Sequence, residues 1–567
     1  MPGPGVTPHP EAAPTMLFPT FDYLLFLLPV LVVFWAIAHR PVARVLWLLG
    51  ASYFFYMAGP KTTPLPTPWY FVGLLGFSTV LDFVCGHQIH RHAADVSSAD
   101  PAVAATARRT RNGYLVASLV GNLGLLGYFK YTDFFVATAT DVAQALGLSW
   151  TAPSLPVILP LGISFYTFQS LSYTIDVWRG RLTPEPSFRK FALFVTFFPQ
   201  LVAGPIVRAS ELLPQLHIRP RLSARRMEEG LFRIFKGLAK KVILGDWIAG
   251  HFTDAVFTNP DAYASPEIML ALYAFTVQLY ADFSGYSDIA IGTARLLGFD
   301  IPENFDRPYQ SRNLGEFWRR WHMTLSTWLR DYLFFPLGGS RGSTARTYFN
   351  LWLTMFLVGM WHYKTGTSWN FVIYANLHGL AMLFNRWNRT RDRALPASRK
   401  LMGMGAAMAA LGLAAGLASH TILGLSTPTS TTLGVLAAAL FAFVTWLPVT
   451  GSALNTALHI GLTFHFTVLS RIFFRAPDFD TARRMCERLL TWDGVLLRPN
   501  LLPTELWIAL GFGLVYHWTP KRWVDIGAWG LFRRIPGPVL GALMALLALL
   551  LMRILDGSPK AFVYFQF

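Results

Sequence analysis

Charge is scarce in this chain, and so is cysteine. Only 14% of its 567 residues are Asp, Glu, Lys or Arg, against roughly 25% in a typical soluble domain. With so few charges and so many apolar residues, a disordered chain and an ordinary cytosolic enzyme are both excluded. The two cysteines, Cys85 and Cys486, stand far apart, so no disulfide framework and no cysteine-based metal motif can be read. Cys85 lies in an apolar run, where an inert buried thiol is expected. No Gly-x-Ser-x-Gly elbow, His-Glu-x-x-His pair or Walker loop occurs. The first 22 residues hold no Lys or Arg, which argues against a cleaved secretory leader. Residues 1–15, rich in Pro and Gly, are expected to be disordered, and Met16 opens a more ordinary start for a membrane protein.

What the sequence has in quantity is apolar surface. Hydrophobic residues make up 53% and aromatic residues 15%, with a mean hydropathy of +0.39. This describes an all-α, polytopic membrane protein. The net charge of +17 would suggest a nucleic-acid partner in a soluble protein. Here the basic residues fall between apolar runs, as cytoplasmic loops do, so no nucleic acid is expected.

Spanning helices of about 20 residues are predicted near 22–38, 44–58, 69–86, 113–136, 158–178, 232–250, 269–292, 347–362, 371–387, 401–423, 433–449, 456–474, 505–518 and 537–555. That is about 12–14 transmembrane or re-entrant helices. The stretch 191–205 is apolar but short and contains Pro199 and Pro205, the pattern of a re-entrant segment held inside protein. Lys and Arg alternate between loops so that the N-terminus faces outward and the basic loops face the cytoplasm. Residues 475–504 break the alternation: they should be outside yet carry Arg475, Arg483, Arg484, Arg488 and Arg498. Either a late helix is misplaced or this segment lies flat on the surface. No repeat and no separate soluble domain is visible. Residues 16–567 read as a single membrane-embedded domain with a large cytoplasmic loop near 293–346.

Ionisable residues at membrane depth are functional candidates by default. Gly359-Met-Trp-His-Tyr363 ends an apolar run, and its imidazole is either bonded to a neighbouring helix or used as a general base. Phe317 to Asp331 holds three Trp, three Arg and His322. On one helix Trp318, His322 and Trp321 would share a side. The segment suits a membrane interface, or a site where Arg319 or Arg320 grips phosphate or carboxylate. Tyr280 to Asp288 places Asp282 and Asp288 in an apolar helix, where they pair with a buried Arg, cap a broken helix or line a polar path, the structural network being favoured, and Gly285 permits close helix packing. His87, His90 and His92 invite a metal claim, but a basic loop is the better reading. These residues alone do not separate an enzyme from a transporter.

The same segments carry a family resemblance. Asn122-Leu-Gly-Leu-Leu-Gly-Tyr-Phe-Lys-Tyr131, Leu159-Pro-Leu-Gly-Ile-Ser-Phe-Tyr-Thr-Phe-Gln169 and Phe198-Pro-Gln-Leu-Val-Ala-Gly-Pro205 come first. Phe283-Ser-Gly-Tyr-Ser-Asp288, Pro302-Glu-Asn-Phe-Asp-Arg-Pro-Tyr309 and the run from Trp318 to Gly339 follow. In this order they resemble the membrane-bound O-acyltransferases (MBOAT), in the bacterial branch that holds the membrane subunit of alginate O-acetylation and the D-alanyl transferase of teichoic acid synthesis. The resemblance is strongest over 16–390 and weaker from Phe464 to Ala476. It implies that His362 is the catalytic histidine and His322 a second one. It also implies transfer of an acyl group from a thioester, acetyl-CoA by resemblance, with no bound cofactor and no metal. The implied acceptor is a hydroxyl of an extracytoplasmic polysaccharide, completed by an extracytoplasmic partner transferase. The implied location is the bacterial inner membrane, with the lipid bilayer around the chain. Arg319, Arg320, Trp361 and Asp288 are the expected substrate-binding residues. Relatives usually continue Trp-His-Gly-Ala, whereas this chain has Trp361-His-Tyr-Lys364, so Tyr363 is expected to narrow the site or reshape its acceptor side. The alternatives are D-alanyl transfer from a carrier protein, a non-enzymatic polysaccharide or lipid transporter, and a scaffold for a secretion complex.

Overall fold

Proline, glycine and polar residues cut the apolar sequence into helices. The computed structural model describes residues 20–58, 70–150, 157–363, 369–391, 452–492 and 502–543, with isolated positions elsewhere. Residues 1–15, nearly all of the expected spans 401–423 and 433–449, and the end of 537–555 lie outside the described residues. Among the described residues every regular element is helical. In chain order the described α-helices up to Trp518 are α1 (Phe21–Ala36), α2 (Pro41–Met57), α3 (Tyr70–Arg91), α4 (Pro101–Ala145), α5 (Ile163–Trp178), α6 (Phe188–Thr196), α7 (Phe198–Leu201), α8 (Ala209–His217), α9 (Ala224–Leu238), α10 (Asp254–Thr258), α11 (Ser265–Leu296), α12 (Leu314–Arg320), α13 (Met323–Leu329), α14 (Thr344–Trp361), α15 (Asn370–Arg391), α16 (Ala453–Arg475), α17 (Phe479–Thr491) and α18 (Thr504–Trp518).

Among the described residues two helical stretches, Phe71–Ser97 and Ala453–Arg475, are long and apolar enough to cross a bilayer by length and composition alone. The other described spans are helices that are shorter, more charged or broken. The stretch expected at 232–250 is one of these: α9 passes into π-helical turns over Ala239–Asp246. Several helices nevertheless present bare apolar faces. Leu25, Leu28 and Val32 on α1, Val116 and Val120 on α4, and Ile508, Phe512 and Val515 on α18 are all exposed, a pattern unsuited to water.

The apolar stretch with two prolines is broken as its sequence predicts. It forms α6 and the single turn α7, and every residue from 191 to 207 is buried. Side chains satisfy the freed backbone groups, as irregular chain in an apolar interior requires. Phe198 N donates to Ser52 Oγ at 3.2 Å, Gln200 Nε2 to Phe194 O at 2.7 Å, and Ile206 N to Thr324 Oγ1 at 3.0 Å. The Arg-rich segment after 475 contains α17, an amphipathic helix. It buries Thr481, Ala482 and Met485 and pairs Arg483 outside with Asp480 and Glu487 at 2.8 and 2.9 Å.

The segment 293–346, expected as a cytoplasmic loop, is largely folded inward: Trp318, Trp321, His322 and Trp328 are buried in it. Asp331 anchors its far end. Arg208 reaches it at 2.7 Å and Arg330 at 2.7 Å. Burial works against the Asp331 charge, but the hydrogen bonds from Arg330 and Arg208 outweigh it and hold this carboxyl below its ordinary range. A carboxyl whose folded-state pKa is depressed stabilises the fold above the unfolded value of about 3.9, and loses that contribution as pH falls through the folded value. The melting temperature of the purified protein should therefore fall on acidification below about pH 4, with a shallower slope in Asp331→Asn. Equal slopes would remove Asp331 from the account.

Candidate active site

His362 follows the last residue of α14, where the final helical carbonyls lack partners within the helix. Two neighbours from α4 supply them. Lys130 Nζ donates to Trp361 O, and Tyr131 Oη donates to Met360 O at 3.0 Å. A cation at this end also suits the helix dipole. Trp361 is stacked on Phe168 of α5, with ring centroids 3.8 Å apart, and Lys130 lies 5.2 Å from the Trp361 ring. Phe168 also meets Trp328 at 4.1 Å, and Trp328 Nε1 donates to Phe168 O at 2.9 Å. The helix end that carries His362 is thus held from two sides.

The imidazole itself is buried, and its Nδ1 lies 2.7 Å from Val358 O. A carbonyl oxygen only accepts, so Nδ1 carries the proton in the neutral ring. The partner therefore assigns the tautomer, and the lone pair is left on Nε2, the form a general base needs.

His322 arrives differently. The expected single helix face through Trp318 and His322 is not formed. The chain breaks between α12 and α13, and His322 takes a left-handed backbone conformation at φ 44°. Such a conformation costs a non-glycine residue about 1–3 kcal/mol and is met chiefly where surrounding structure enforces it. Asn304 enforces it here. Met323 N donates to Asn304 O at 2.9 Å, while Asn304 Oδ1 accepts from Thr324 Oγ1 at 2.9 Å and Thr324 N at 3.3 Å. Because Thr324 N can only donate, the oxygen of the Asn304 amide faces this turn. His322 Nδ1, 3.0 Å from that oxygen, must therefore be the protonated nitrogen. The two histidines share one orientation logic, and their imidazoles lie within electrostatic range of each other. Phe283 packs edge-on against His322 at 4.8 Å.

One turn before His362 on α14 lies the wall of a cavity of about 570 Å³, lined by Trp318, Thr354, Met355, Val358 and Met382 and bordered by Arg319, Arg330 and Arg386, with neither histidine in its lining. Val358, whose carbonyl orients His362, is in its wall. Arg319 is exposed and borders this cavity. Arg320 is engaged elsewhere, by Glu316 at 2.8 Å and by Asp306 O at 3.3 Å. Asp288 lies in an ion-pair cluster with Lys240 at 2.6 Å, Lys236 at 3.3 Å and Arg233 at 2.5 Å. This is the buried-network arrangement. Asn304, which holds His322, also donates from Nδ2 to Ser287 Oγ beside Asp288 at 3.3 Å. Tyr363 is buried against Tyr131 and Phe134 of α4, with centroids at 5.9 and 5.1 Å. Among the described residues no group of three His, Cys, Asp or Glu side chains forms a metal site. His87 instead bonds to Phe83 O at 2.8 Å.

The sequence reading missed Asn304, Lys130 and Arg471. The first two stand inside family-like motifs, which was the available signal. Arg471 of α16 has its guanidinium 5.2 Å from the Trp321 ring and 5.3 Å from that of Phe474. Phe474 in turn lies 5.9 Å from the His362 ring.

Comparison with known proteins adds a second line. The family model for membrane-bound O-acyltransferases matches residues 181–416, a span that includes both histidines. A probable alginate O-acetylase of Pseudomonas aeruginosa is 38% identical over 376 residues, 65% of this chain and 66% of that one. A peptidoglycan O-acetyltransferase of Helicobacter pylori is 35% identical over 404 residues, covering 65% and 70%. A teichoic acid D-alanyltransferase of Bacillus subtilis is 30% identical over 260 residues, covering 42% and 62%. The chain spans about two thirds of the length of these relatives.

Proposed function

The chain belongs to the membrane-bound O-acyltransferase family, and from that premise we propose that it moves an acyl group from a cytoplasmic thioester to a hydroxyl on the far side of the membrane. The observation that carries this reading is the orientation of His362: its Nδ1 proton is tied to Val358 O, which leaves Nε2 to take a proton. An alcohol is a weak nucleophile and needs such a base as it attacks. His322, tied in the same way to Asn304, positions the acceptor hydroxyl.

Acetyl-CoA is the proposed donor. The acetylating relatives match 65% of this chain and the D-alanylating one 42%. The cavity walled by Met355 and Val358 takes the acyl-pantetheine arm, and Arg319 at its border meets the donor's phosphates. Arg320 is less available, being paired with Glu316. Trp361 fixes the helix end and Asp288 the α9–α11 pair. Both act on substrate through position. No metal and no resident cofactor enters the scheme.

The proposed setting is the inner membrane of a bacterium, with the chain crossing many times. The exposed apolar faces on α1, α4 and α18 support that reading. The acceptor is an extracytoplasmic polysaccharide, reached through a separate extracytoplasmic transferase. The test is free-thiol release from acetyl-CoA by the protein in liposomes, with a polysaccharide acceptor added. Release that depends on the acceptor is expected. Release only from a D-alanyl carrier would replace the donor, and acceptor transport with no thioester consumed would overturn the reading.

A further inference from the structure

Five Lys or Arg side chains are deeply buried among the described residues: Arg44, Lys130, Lys240, Lys241 and Arg471. Four are answered. Arg44 donates to three backbone carbonyls, of Ala38, Leu216 and Ile218. Lys130 donates to Trp361 O. Lys240 meets Asp288, and Lys241 meets Asp246 and Asp282, each at 2.6 Å. Arg471 is not answered in this way. It is 1% exposed, and its hydrogen-bond partners are two neutral phenols: Nη1 reaches Tyr374 Oη at a long 3.4 Å, and the Tyr309 hydroxyl also meets the guanidinium. Its Nε and Nη2 have no partner, and no carboxylate pairs with it among the described residues. Arg475, one turn further along α16, does have its acid, Asp254 at 2.8 Å.

A guanidinium offers five N–H donors in a fixed fork. Burying it with most of them unused costs several kcal/mol. Its stacking on Trp321 and Phe474 recovers about 0.5–2 kcal/mol. Packing therefore gives no reason for the charge to be there, whereas an anion that visits the site does. The location says which anion. Trp321 precedes His322 in the chain, and the Phe474 ring is shared between Arg471 and His362. Arg471 also lies within electrostatic range of His362 and His378.

We propose that the free N–H groups of Arg471 hold the acyl carbonyl oxygen of the donor while it carries negative charge. This rests on the acyltransferase reading. The acceptor oxygen forms a bond to the thioester carbonyl carbon, and its proton passes to His362 Nε2. The carbonyl π pair moves onto oxygen, where Arg471 donates to it. When that pair returns, the C–S bond breaks, and the leaving thiolate takes the proton from His362. Donors already in place, in a site closed to water, stabilise such an oxyanion without reorganising.

The test compares Arg471→Gln, Arg471→Lys and His362→Gln with wild type in acetyl-CoA-fed liposomes, using CoA binding and thermal unfolding to confirm folding. Arg471→Gln should lower kcat by about 10²–10³-fold, with KM for acetyl-CoA little changed. Arg471→Lys, which keeps the charge but loses the fork, should fall in between, and it carries the test alone if the Gln variant does not fold. A phosphonate mimic of the tetrahedral intermediate should bind wild type far better than Arg471→Gln, while CoA binds both equally. A kcat unchanged in Arg471→Gln, with His362→Gln inactive, would overturn this inference alone. A defect confined to KM for a uronate acceptor and absent with a neutral one would move Arg471 to the acceptor's carboxylate and overturn it too. Thiol release by His362→Gln at the wild-type rate would instead strike the acyltransferase reading.

Discussion

Replacing His362 by Gln should reduce acyl transfer by about 10²–10⁴-fold, the contribution of a positioned general base. Gln can still donate to Val358 O in place of the imidazole, so the end of α14 keeps its anchor. What it lacks is a basic nitrogen where Nε2 stood. The expected signature is a fall in kcat with donor binding retained, because the cavity wall of Met355 and Val358 is untouched. Thiol release with saturating acceptor, followed with CoA affinity, separates the two. A variant that keeps transfer within about threefold of wild type would remove the base from the mechanism. A variant that loses CoA binding as well would mean that His362 shapes the cavity instead of taking a proton.

The sequence made some of this legible and hid the rest for reasons of distance. His362 stands out because a histidine ending a long apolar run must be either satisfied or used, with the family resemblance favouring use, and the all-helical build follows from composition and run length. His322 is singled out by its motif, but its geometry is not legible there. Nothing in Trp-Arg-Arg-Trp-His-Met announces that the helix stops at Arg320 and that His322 turns to φ 44°. The cause is Asn304, eighteen residues upstream. Asp288 shows the same limit. Its carboxylate is conspicuous in α11, but its partners Arg233, Lys236 and Lys240 come from a different expected span, 232–250, with Arg233 and Lys240 lying 55 and 48 residues upstream. In the fold that span passes from α9 into π turns, and its cations face inward. Arg471 is the extreme case. It sits in an apolar helix near other arginines, and its meaning depends on which arginines find a carboxylate across the fold. No local pattern carries that information.

A single methylene-rich side chain at Gly285 should do more damage to the fold than any surface change. Helices α9 and α11 cross backbone to backbone at two levels seven residues apart. At one, a Cβ on Gly285 would lie 2.7 Å from Gly237 O, and a Cβ on Gly237 would lie 2.5 Å from Gly285 O. At the other, Gly230 and Gly292 are matched at 2.9 and 2.6 Å. At each glycine a carbonyl oxygen lies within 3.0 Å, joined at Gly230 by Leu296 Cδ2 at 2.8 Å, and a carbonyl oxygen cannot rotate aside as a side chain would. Small residues are what allow helices to approach this closely. Overpacking a filled core costs about 1–3 kcal/mol, occasionally more, and a rigid contact belongs at or above the upper end. Gly285→Leu must push α9 away from α11. That movement also drags Lys240 from Asp288 and Lys241 from Asp282, and leaves buried charges unpaired on both helices. Losing one partner of a buried pair costs about 3–5 kcal/mol, so the two penalties reinforce each other. The expected result is a protein that fails to accumulate or melts many degrees lower, whereas Gly50→Ala on α2, where nothing lies within 4 Å, leaves the melting temperature unchanged. A Gly285→Leu protein as stable as wild type would show that α9 and α11 do not meet at these glycines.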